Sequence, residues 1–243
     1  MELYVIRHAQ SANNALYTRN NTTIGRSDDP ELTDIGREQT RRLAEFIATP
    51  RHTTNDNFAA RLTNAHGFHF THLYCSLMVR SIETGLAIAN ATGLPLVAWP
   101  DWHETGGIFY EDPNNPNHRT GQPGKTAAEL TNRFPDLTIT NELDPAGWWN
   151  RPFEDHPAQI ARAERVLADL IARHGYTDHR VAVITHGGFY NRFLQAVLKF
   201  NPDQRTWFTL VNCGITRIDF DEDDTMLFYQ NRHEHLSPEL LTW

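Results

Sequence analysis

Short apolar segments alternate along the chain with longer amphipathic stretches, and several of the apolar segments end in polar residues. Four segments have the length of buried strands and lie at residues 3–6, 71–75, 96–99 and 180–185. Three further strands are predicted late in the chain, at residues 207–211, 215–220 and 226–229. The pattern therefore predicts strands from one end of the chain to the other.

Apolar residues at helical spacing predict helices between these strands. Thr33 has the side chain of a helix N-cap, and Leu43, Phe46 and Ile47 follow it on one helical face. Four more helices are predicted near residues 82–92, 125–134, 158–173 and 189–199. The segments without a strong period are interpreted as insertions or long loops, and they are 49–69 and most of 101–156.

Strands that alternate with helices predict the α/β class. We expect a three-layer sandwich in which helices flank a mostly parallel central sheet. A chain of 243 residues buries enough surface to need neither a disulfide nor a metal ion for its stability. Its content of 40% hydrophobic and 21% charged residues is ordinary for globular proteins, which excludes disordered, collagen-like and coiled-coil proteins.

The distribution of apolar residues also bears on location. No apolar run approaches the roughly 18 residues of a membrane span, and no basic region precedes the apolar residues at the N-terminus, as it does in a signal peptide. We therefore expect a cytoplasmic protein. In that reducing compartment, Cys75 and Cys213 are expected to be buried thiols rather than a disulfide.

The net charge narrows the choice of ligand. The chain carries 22 basic and 30 acidic residues, which gives a net charge of −8 with neutral histidines. No basic patch is visible in the sequence, so a nucleic-acid partner is not expected. An acidic protein that binds an anion has to concentrate its few cations in one site.

Polar side chains follow three of the predicted strands at their carboxyl ends. Arg7 and His8 follow the first strand, Arg80 comes after the second, and His186 precedes two glycines after the strand at 180–185. Because ligands bind outside the carboxyl ends of strands in an open α/β sheet, these groups are expected to converge. Two arginines and two histidines suit a dianion that guanidinium groups hold while an imidazole reacts.

These segments resemble motifs of the histidine phosphatase superfamily, in its phosphoglycerate mutase-like branch. The motifs occur in order over nearly the whole chain, and they are RHAQS at 7–11 with Asn14, Gly25 and Asp28, LT-x-x-G-x-x-Q at 32–39, residues 76–85, WHETG at 102–106, VITHGG at 183–188 and NCGIT at 212–216. The resemblance implies a phosphoglycerate mutase-like fold. It also implies one domain over residues 1–243, with the insertions near 49–69 and 101–156 covering the site.

The resemblance further implies a role for each residue that matches a motif. His8 is the implied nucleophile that becomes phosphohistidine, Glu104 the implied proton donor to the leaving oxygen, and His186 the second catalytic histidine. The implied phosphate or substrate contacts are Arg7, Ser11, Asn14, Arg80 and Gly187. Neither a metal ion nor an organic cofactor is implied.

Two questions remain open, one about the residue after His8 and one about the identity of the acid. Ala9 stands where the family usually has glycine, so the backbone there is less free to adopt positive φ; we expect a tolerated variant because the Ala9 Cβ is small. For the acid, Asp101 and Glu111 remain alternatives to Glu104, because all three lie in the same loop-rich segment.

Three functions fit these motifs. A phosphohydrolase would cleave a small phosphomonoester through phosphohistidine. A phosphoglycerate mutase shares that chemistry but needs additional cations to retain a bisphosphate, and segment 101–156 carries ten acidic residues against four basic ones, Arg119, Lys125, Arg133 and Arg151. We therefore favour the phosphohydrolase. A non-catalytic module that binds a phospho-ligand is the third possibility, but it does not need the intact nucleophile.

Two weaker signals receive a structural interpretation. His66, His69 and His72 are spaced by three residues, but the segment has no regular scaffold for tetrahedral ligands, so no metal site is expected there. Trp148 and Trp149 are interpreted as core residues rather than as the lining of a substrate cleft.

Overall fold

A seven-stranded sheet forms the centre of the computed structural model, which describes residues 1–51, 54, 57–201 and 206–243. The strands in these residues are β1 (Glu2–Arg7), β2 (His72–Cys75), β3 (Leu96–Ala98), β4 (Phe109–Asp112), β5 (Asn115–Gly121), β6 (Leu137–Thr138), β7 (Arg180–Thr185), β8 (Ile215–Phe220) and β9 (Thr225–Arg232). The α-helices in these residues are α1 (Ala12–Asn20), α2 (Asp34–Ala48), α3 (Phe58–Leu62), α4 (Val79–Thr92), α5 (Ala127–Arg133), α6 (His156–His174) and α7 (Gly187–Val197).

The order of strands in the main sheet is β6-β3-β2-β7-β1-β8-β9. The strands from β6 to β1 are parallel to their neighbours, whereas β8 pairs antiparallel with β1 and with β9. The remaining two strands, β4 and β5, form a separate antiparallel hairpin. The prediction of a mostly parallel α/β sheet is confirmed.

Helices cover both faces of this sheet, and the alternation of side chains along the strands shows it. In β1, Tyr4 and Ile6 point into the apolar cluster that includes α2 and α4, while Leu3 and Val5 point into the cluster of α6 and α7. All four side chains are fully buried, and each such burial stabilises the fold by about 1.5–3 kcal/mol. The three-layer sandwich is therefore the observed architecture.

One predicted strand is wrong. No strand forms at 207–211, because the backbone there binds side chains instead of a neighbouring strand. The N–H of Phe208 donates to the side-chain oxygen of Asn191 at 2.6 Å, and the carbonyl of Leu210 accepts from Arg7 at 2.5 Å. The strand predicted at 215–220 is confirmed as β8.

Several helices and strands were not predicted from the pattern of hydrophobic residues. Helix α1 has no buried residue and therefore no apolar stripe. The segment 49–69 contains α3, and its positions 52, 53, 55 and 56 lie outside the described residues. The segment 101–156 contains the β4–β5 hairpin and β6 in addition to the predicted helix, which is α5.

Three smaller expectations can be compared with the structure directly. Cys75 and Cys213 are buried and free, as predicted. Trp148 and Trp149 are 5% and 3% exposed and belong to an apolar core cluster, which confirms their structural interpretation. Of the helices in the described part of the chain, none combines the length and the hydropathy that a bilayer crossing requires.

Candidate active site

The carboxyl ends of three neighbouring strands bring the predicted site residues together. Because β7 lies between β1 and β2, Arg7 at the end of β1 and His186 just after β7 are close in space. The N–H of His8 continues the pairing by donating to the carbonyl of Thr185 at 2.9 Å. Ser76 follows β2, and its hydroxyl lies 2.7 Å from Nε2 of His186. The ring centroids of His8 and His186 are 4.9 Å apart.

The contacts of its two ring nitrogens define the tautomer of His8. Nδ1 lies 2.6 Å from the carbonyl oxygen of Ala9, which can only accept, so Nδ1 carries the proton. Nε2 keeps its lone pair and accepts from Nε of Arg80 at 3.2 Å. Burial, followed by the positive charges of Arg80 and Arg7, holds the pKa of His8 well below its usual range. His8 is therefore a neutral imidazole whose Nε2 lone pair faces a guanidinium group.

Neighbouring side chains hold the backbone around His8. The hydroxyl of Thr84 accepts from the Ala9 N–H at 3.1 Å, and the amide of Asn212 donates to the His8 carbonyl at 2.9 Å. Ala9 is fully buried and does not adopt positive φ, so its methyl group is accommodated without backbone strain.

The motif at 32–39 supports the same loop from the other side. The side-chain oxygen of Gln39 accepts from the Gln10 N–H at 2.7 Å. At Gly36, helix α2 approaches so closely that a Cβ would overlap the Gln10 carbonyl. These two motif residues thus position the loop that follows His8.

Two arginines flank His8, of which Arg80 is buried and Arg7 is partly buried. Arg80 lies in the first turn of α4 and is 7% exposed; besides its bond to His8, its Nη2 donates to the sulfur of Met78 at 3.1 Å. Arg7 donates from Nη1 to the Leu210 carbonyl. Burial lowers the pKa of Arg7 to about 10, and burial also lowers the pKa of Arg80. A guanidinium group keeps its proton in proteins, so both arginines carry positive charge into the site.

The orientation of His186 follows from its bond to Ser76. The Ser76 hydroxyl accepts from the Met78 N–H at 3.4 Å and has its own proton to donate to Nε2 of His186. Nδ1 of His186 then carries the ring proton. Burial, with the positive charges of Arg80 first among the nearby groups, lowers the pKa of His186 far below its usual range and keeps the ring neutral.

Three buried donors in this site have no hydrogen-bond partner among the described residues. They are Nε of Arg7, Nη1 of Arg80 and Nδ1 of His186. An unsatisfied buried donor costs about 1–3 kcal/mol, and more when the group is charged. An oxyanion between them would satisfy all three, so the geometry fits the binding of a phosphate group.

Glu104 lies at the N-terminus of α7, beside this cluster. Its Oε2 accepts from the Gly188 N–H at 3.1 Å, and its Oε1 accepts from the N–H groups of Phe189 at 2.8 Å and Thr105 at 2.7 Å. At Gly188 a Cβ would overlap the Glu104 carboxylate, so glycine permits this approach. Gly187 precedes it as the first residue of the helix, where backbone N–H groups favour an anion.

The two alternative acids are engaged elsewhere. The carboxylate of Asp101 lies 3.8 Å from Arg165. Glu111 forms an ion pair with Arg119 at 3.1 Å and also accepts from the Thr23 hydroxyl. The structure therefore brings Glu104, rather than either alternative, to the helix that begins beside His186.

Ser11 and Asn14 form the N-terminal capping box of α1. The Asn14 side-chain oxygen accepts from the Ser11 N–H at 3.1 Å and from its hydroxyl at 2.9 Å, while Asn212 lies 3.5 Å away. These bonds fix the Asn14 amide by its oxygen. Ser11 is buried and caps the N-terminus of α1.

Two charged residues near the site were not predicted from the sequence. The motif at 25–28 pointed to Asp28, which is exposed, whereas the structure places Asp29 3.9 Å from Nη1 of Arg80 and 3.8 Å from Lys125. Arg26 stacks on the Phe109 ring at 3.9 Å, and burial, with the charge of Arg80 next, lowers its pKa to about 10. Both lie in a loop, where no periodic pattern distinguishes one charged residue from its neighbours.

The basic residues of segment 101–156 mostly have partners. Lys125 faces Asp29, and Arg119 pairs with Glu111. Arg133 pairs with Glu31 and Glu83. Arg151 stacks on the Trp149 ring at 4.2 Å. Their charges are therefore largely neutralised or packed within the protein.

Comparison with known proteins identifies the family. The sequence profile of the histidine phosphatase superfamily (branch 1) matches residues 3–232. The chain belongs to this superfamily. By overall sequence, this histidine phosphatase matches none of the curated proteins with which it was compared.

Solved structures show the same fold as this histidine phosphatase. A phosphoserine phosphatase from Entamoeba histolytica, solved with phosphoserine, is 20% identical, with 97% of this chain and 99% of that chain covered and a TM-score of 0.57. A mycobacterial glucosyl-3-phosphoglycerate phosphatase solved with VO3 is 19% identical over 95% and 98%, with a TM-score of 0.57. A putative alpha-ribazole-5'-P phosphatase from Escherichia coli is 17% identical over 96% and 97%, with a TM-score of 0.62. Family and neighbours together support a phosphatase.

Proposed function

We propose that this histidine phosphatase hydrolyses a small phosphomonoester through a phosphohistidine on His8. The observation that carries the proposal is the neutral His8 ring, with its Nε2 lone pair beside three buried donors that have no partner among the described residues. An imidazole in this state attacks phosphorus without first losing a proton. The donors that accompany it stabilise the equatorial oxygens as charge spreads over them.

In the first step, Nε2 of His8 forms a bond to phosphorus while the bond to the ester oxygen breaks. Arg7, Arg80 and His186 bind the phosphoryl oxygens, with the Gly187 N–H and the Asn14 amide as further donors. Glu104 gives its proton to the departing oxygen, which leaves as an alcohol. The covalent product is phosphohistidine.

In the second step, water attacks the phosphorus of phosphohistidine. Glu104, now a carboxylate, accepts a proton from that water, and the bond between phosphorus and Nε2 breaks. Inorganic phosphate leaves, and His8 and Glu104 return to their starting protonation states. Every proton transfer in the cycle is assigned to Glu104, so the arginines act only through their charge and their N–H groups.

Most basic residues of segment 101–156 have acidic partners, which favours hydrolysis over mutase activity. A mutase retains a bisphosphate, and a second anionic group needs free positive charge. Lys125, Arg119 and Arg133 already face carboxylates, so segment 101–156 offers little of it. The phosphohistidine is expected to react with water rather than with a second phosphoglycerate.

Trapping the intermediate tests the nucleophile. Brief incubation with p-nitrophenyl phosphate, followed by digestion without acid, should place an acid-labile phosphate on His8. The His8→Ala variant should lose both the label and turnover, while Asp101→Asn, outside the cluster, should keep both. A label found only on His186, or normal turnover in His8→Ala, would contradict the assignment. A mutase assay with and without bisphosphoglycerate on the same preparations distinguishes the alternative function.

The proposed reaction draws its positive charge from arginines, so it should not depend on a metal ion. Prolonged treatment with EDTA is expected to leave the rate of p-nitrophenyl phosphate hydrolysis at 25 °C unchanged. A loss of rate that added Mg²⁺ restores would show that the arginines do not suffice.

A further inference from the structure

Three histidines meet at the amino-terminal ends of β2 and β7, whereas the candidate active site lies at the carboxyl ends of these strands. His72 is the first residue of β2, His179 directly precedes β7, and His174 is the last residue of α6. The strand β7 begins beside this cluster and ends beside His186. At about 3.3 Å per residue, its six residues separate the two places by about 20 Å.

The histidine cluster has the spacing of a metal site. Each ring offers one nitrogen, and the three nitrogens lie within 4.8 Å of one another. Nδ1 of His174 and Nδ1 of His179 are 3.0 Å apart. Two nitrogens bound to one tetrahedral zinc ion, each at 2.0–2.1 Å, would be about 3.3 Å apart, so a small movement of either ring brings this pair to a ligand distance.

The other ring nitrogens have partners that orient two of the rings. Nε2 of His174 lies 3.1 Å from the hydroxyl of Tyr74, and Nδ1 of His72 lies 2.8 Å from the hydroxyl of Thr71. Such outer bonds fix the ring and the tautomer of metal-binding histidines. They leave Nδ1 of His174 and Nε2 of His72 for a ligand, beside Nδ1 of His179.

We propose that His72, His174 and His179 bind a zinc ion, with water as the fourth ligand. Imidazole suits zinc among the common divalent ions, whereas Mg²⁺ and Ca²⁺ prefer oxygen ligands. His174 is buried, but His72 and His179 are partly exposed, so an ion can enter from solvent. The ion would join the end of α6 to the starts of β2 and β7, and its role is to stabilise the fold, separate from the phosphatase reaction.

The proposed site differs from the spacing seen in the sequence. His66, His69 and His72 recur at intervals of three, but the ring of His69 contacts the carbonyl of His66 instead of turning toward His72. The partners of His72 come from more than 100 positions further along the chain. Only the fold places them together.

Zinc titration of the full chain in competition with a chromogenic chelator tests the proposal. The wild-type protein should bind one zinc ion that His72→Gln and His179→Gln each weaken by on the order of 10²-fold, at least the loss that follows removal of an outer partner. His156→Gln, on an exposed residue at the far end of α6, should bind zinc like the wild type. Equal zinc affinity in all four proteins, or no binding by the wild type, would overturn the proposal.

Two readouts avoid any dependence on activity or on the variants. Zinc at a hundredfold excess over its Kd should raise the thermal midpoint of the wild type by about 5–10 °C. Co²⁺ bound to the wild type should show the strong visible absorption of tetrahedral coordination, and added Zn²⁺ should remove it. A cobalt spectrum like that of the hydrated ion, with an unchanged midpoint in zinc, would contradict the proposal even if the variants folded poorly.

Discussion

A histidine attacks phosphorus only through a ring nitrogen that keeps its lone pair, and His8 meets this condition through one backbone contact. The Ala9 carbonyl accepts a hydrogen bond from Nδ1–H, so Nε2 keeps its lone pair. His186 has the same tautomer but is held at the other nitrogen, because Ser76 binds its Nε2 and leaves Nδ1 as a donor. Two histidines in one site thus differ in role because they differ in the atom that is held.

The tautomer of His8 can be observed directly. At pH 6, in phosphate-free buffer, His8 should remain neutral with the proton on Nδ1, because burial and two arginines oppose a second proton. A free histidine would be mostly protonated at that pH. The ¹⁵N chemical shifts of the imidazole in labelled protein measure this, with His8→Gln to assign the signal. A titration of that signal near pH 6.5 would show that the site does not suppress protonation.

The role of Glu104 can be separated from a structural one by the choice of leaving group. Glu104→Gln should slow hydrolysis of an alkyl phosphate by about 10²–10⁴-fold, because the alkoxide then leaves without a proton. The loss should shrink with a nitrophenyl phosphate, whose oxygen needs little protonation. Turnover of both substrates by Glu104→Gln and by the control Asp101→Asn is the measurement. Equal losses on the two substrates would assign Glu104 another role.

At the scale of elements, α7 connects the proposed phosphate pocket to the proposed acid, Glu104. Its first residues supply the backbone N–H groups that hold the Glu104 carboxylate, and it begins directly after His186. The approach depends on Gly188, where any side chain would meet that carboxylate. The helix therefore sets the position of the acid relative to the phosphate pocket.

Substitution of Gly188 tests this coupling. Gly188→Ala should displace the carboxylate and lower kcat/KM for an alkyl phosphate by on the order of 10²-fold, as misplacement by about 1 Å does. In the Glu104→Gln background the same substitution should cost little, because no acid remains to be misplaced. The coupling is obtained from kcat/KM of the wild type, the two single variants and the double variant, with circular dichroism as the control for folding. The same loss in both backgrounds would mean that Gly188 acts independently of Glu104.

Periodicity and strand ends predicted the elements and residues that follow a regular pattern. The core strands, α2, α4, α6 and α7 were found in this way, and so were the strand-end positions of Arg7, His8 and His186. The elements that were missed have other causes: α1 buries no face, and β4 and β5 have few buried positions. Asp29 and Arg26 were not predicted because their positions depend on how a loop folds over Arg80. No local sequence pattern indicates that fold.

At the scale of the whole molecule, the buried histidines make stability depend on pH. His8, His103 and His186 are 3% exposed or less, and burial lowers the pKa of each well below its usual value. In the unfolded chain they titrate near pH 6.5. Below that pH the unfolded state binds more protons than the folded state, so the free energy of unfolding falls as the pH falls.

This pH effect can be measured. Each of the three histidines should lower the free energy of unfolding between pH 7.5 and pH 5.5, because over that range the unfolded chain takes up a proton that the buried ring resists. Urea unfolding at several pH values in phosphate-free buffer measures it. His103→Gln, outside the phosphate pocket, removes one of these histidines. Its free energy of unfolding should therefore change less steeply with pH than that of the wild type, by the contribution of one proton. The same free energy of unfolding at both pH values would show that these rings protonate normally in the folded protein.

The three donors of Arg7, Arg80 and His186 that lack a hydrogen-bond partner among the described residues also bear on which anions bind the protein. We expect them to bind a tetrahedral oxyanion whatever group is attached to it, so inorganic phosphate and sulfate should compete with the substrate for the same pocket. Phosphate, the product of the proposed reaction, should then be a competitive inhibitor of the enzyme. In a phosphate-rich medium, the rate of turnover should depend on how fast bound phosphate exchanges for substrate.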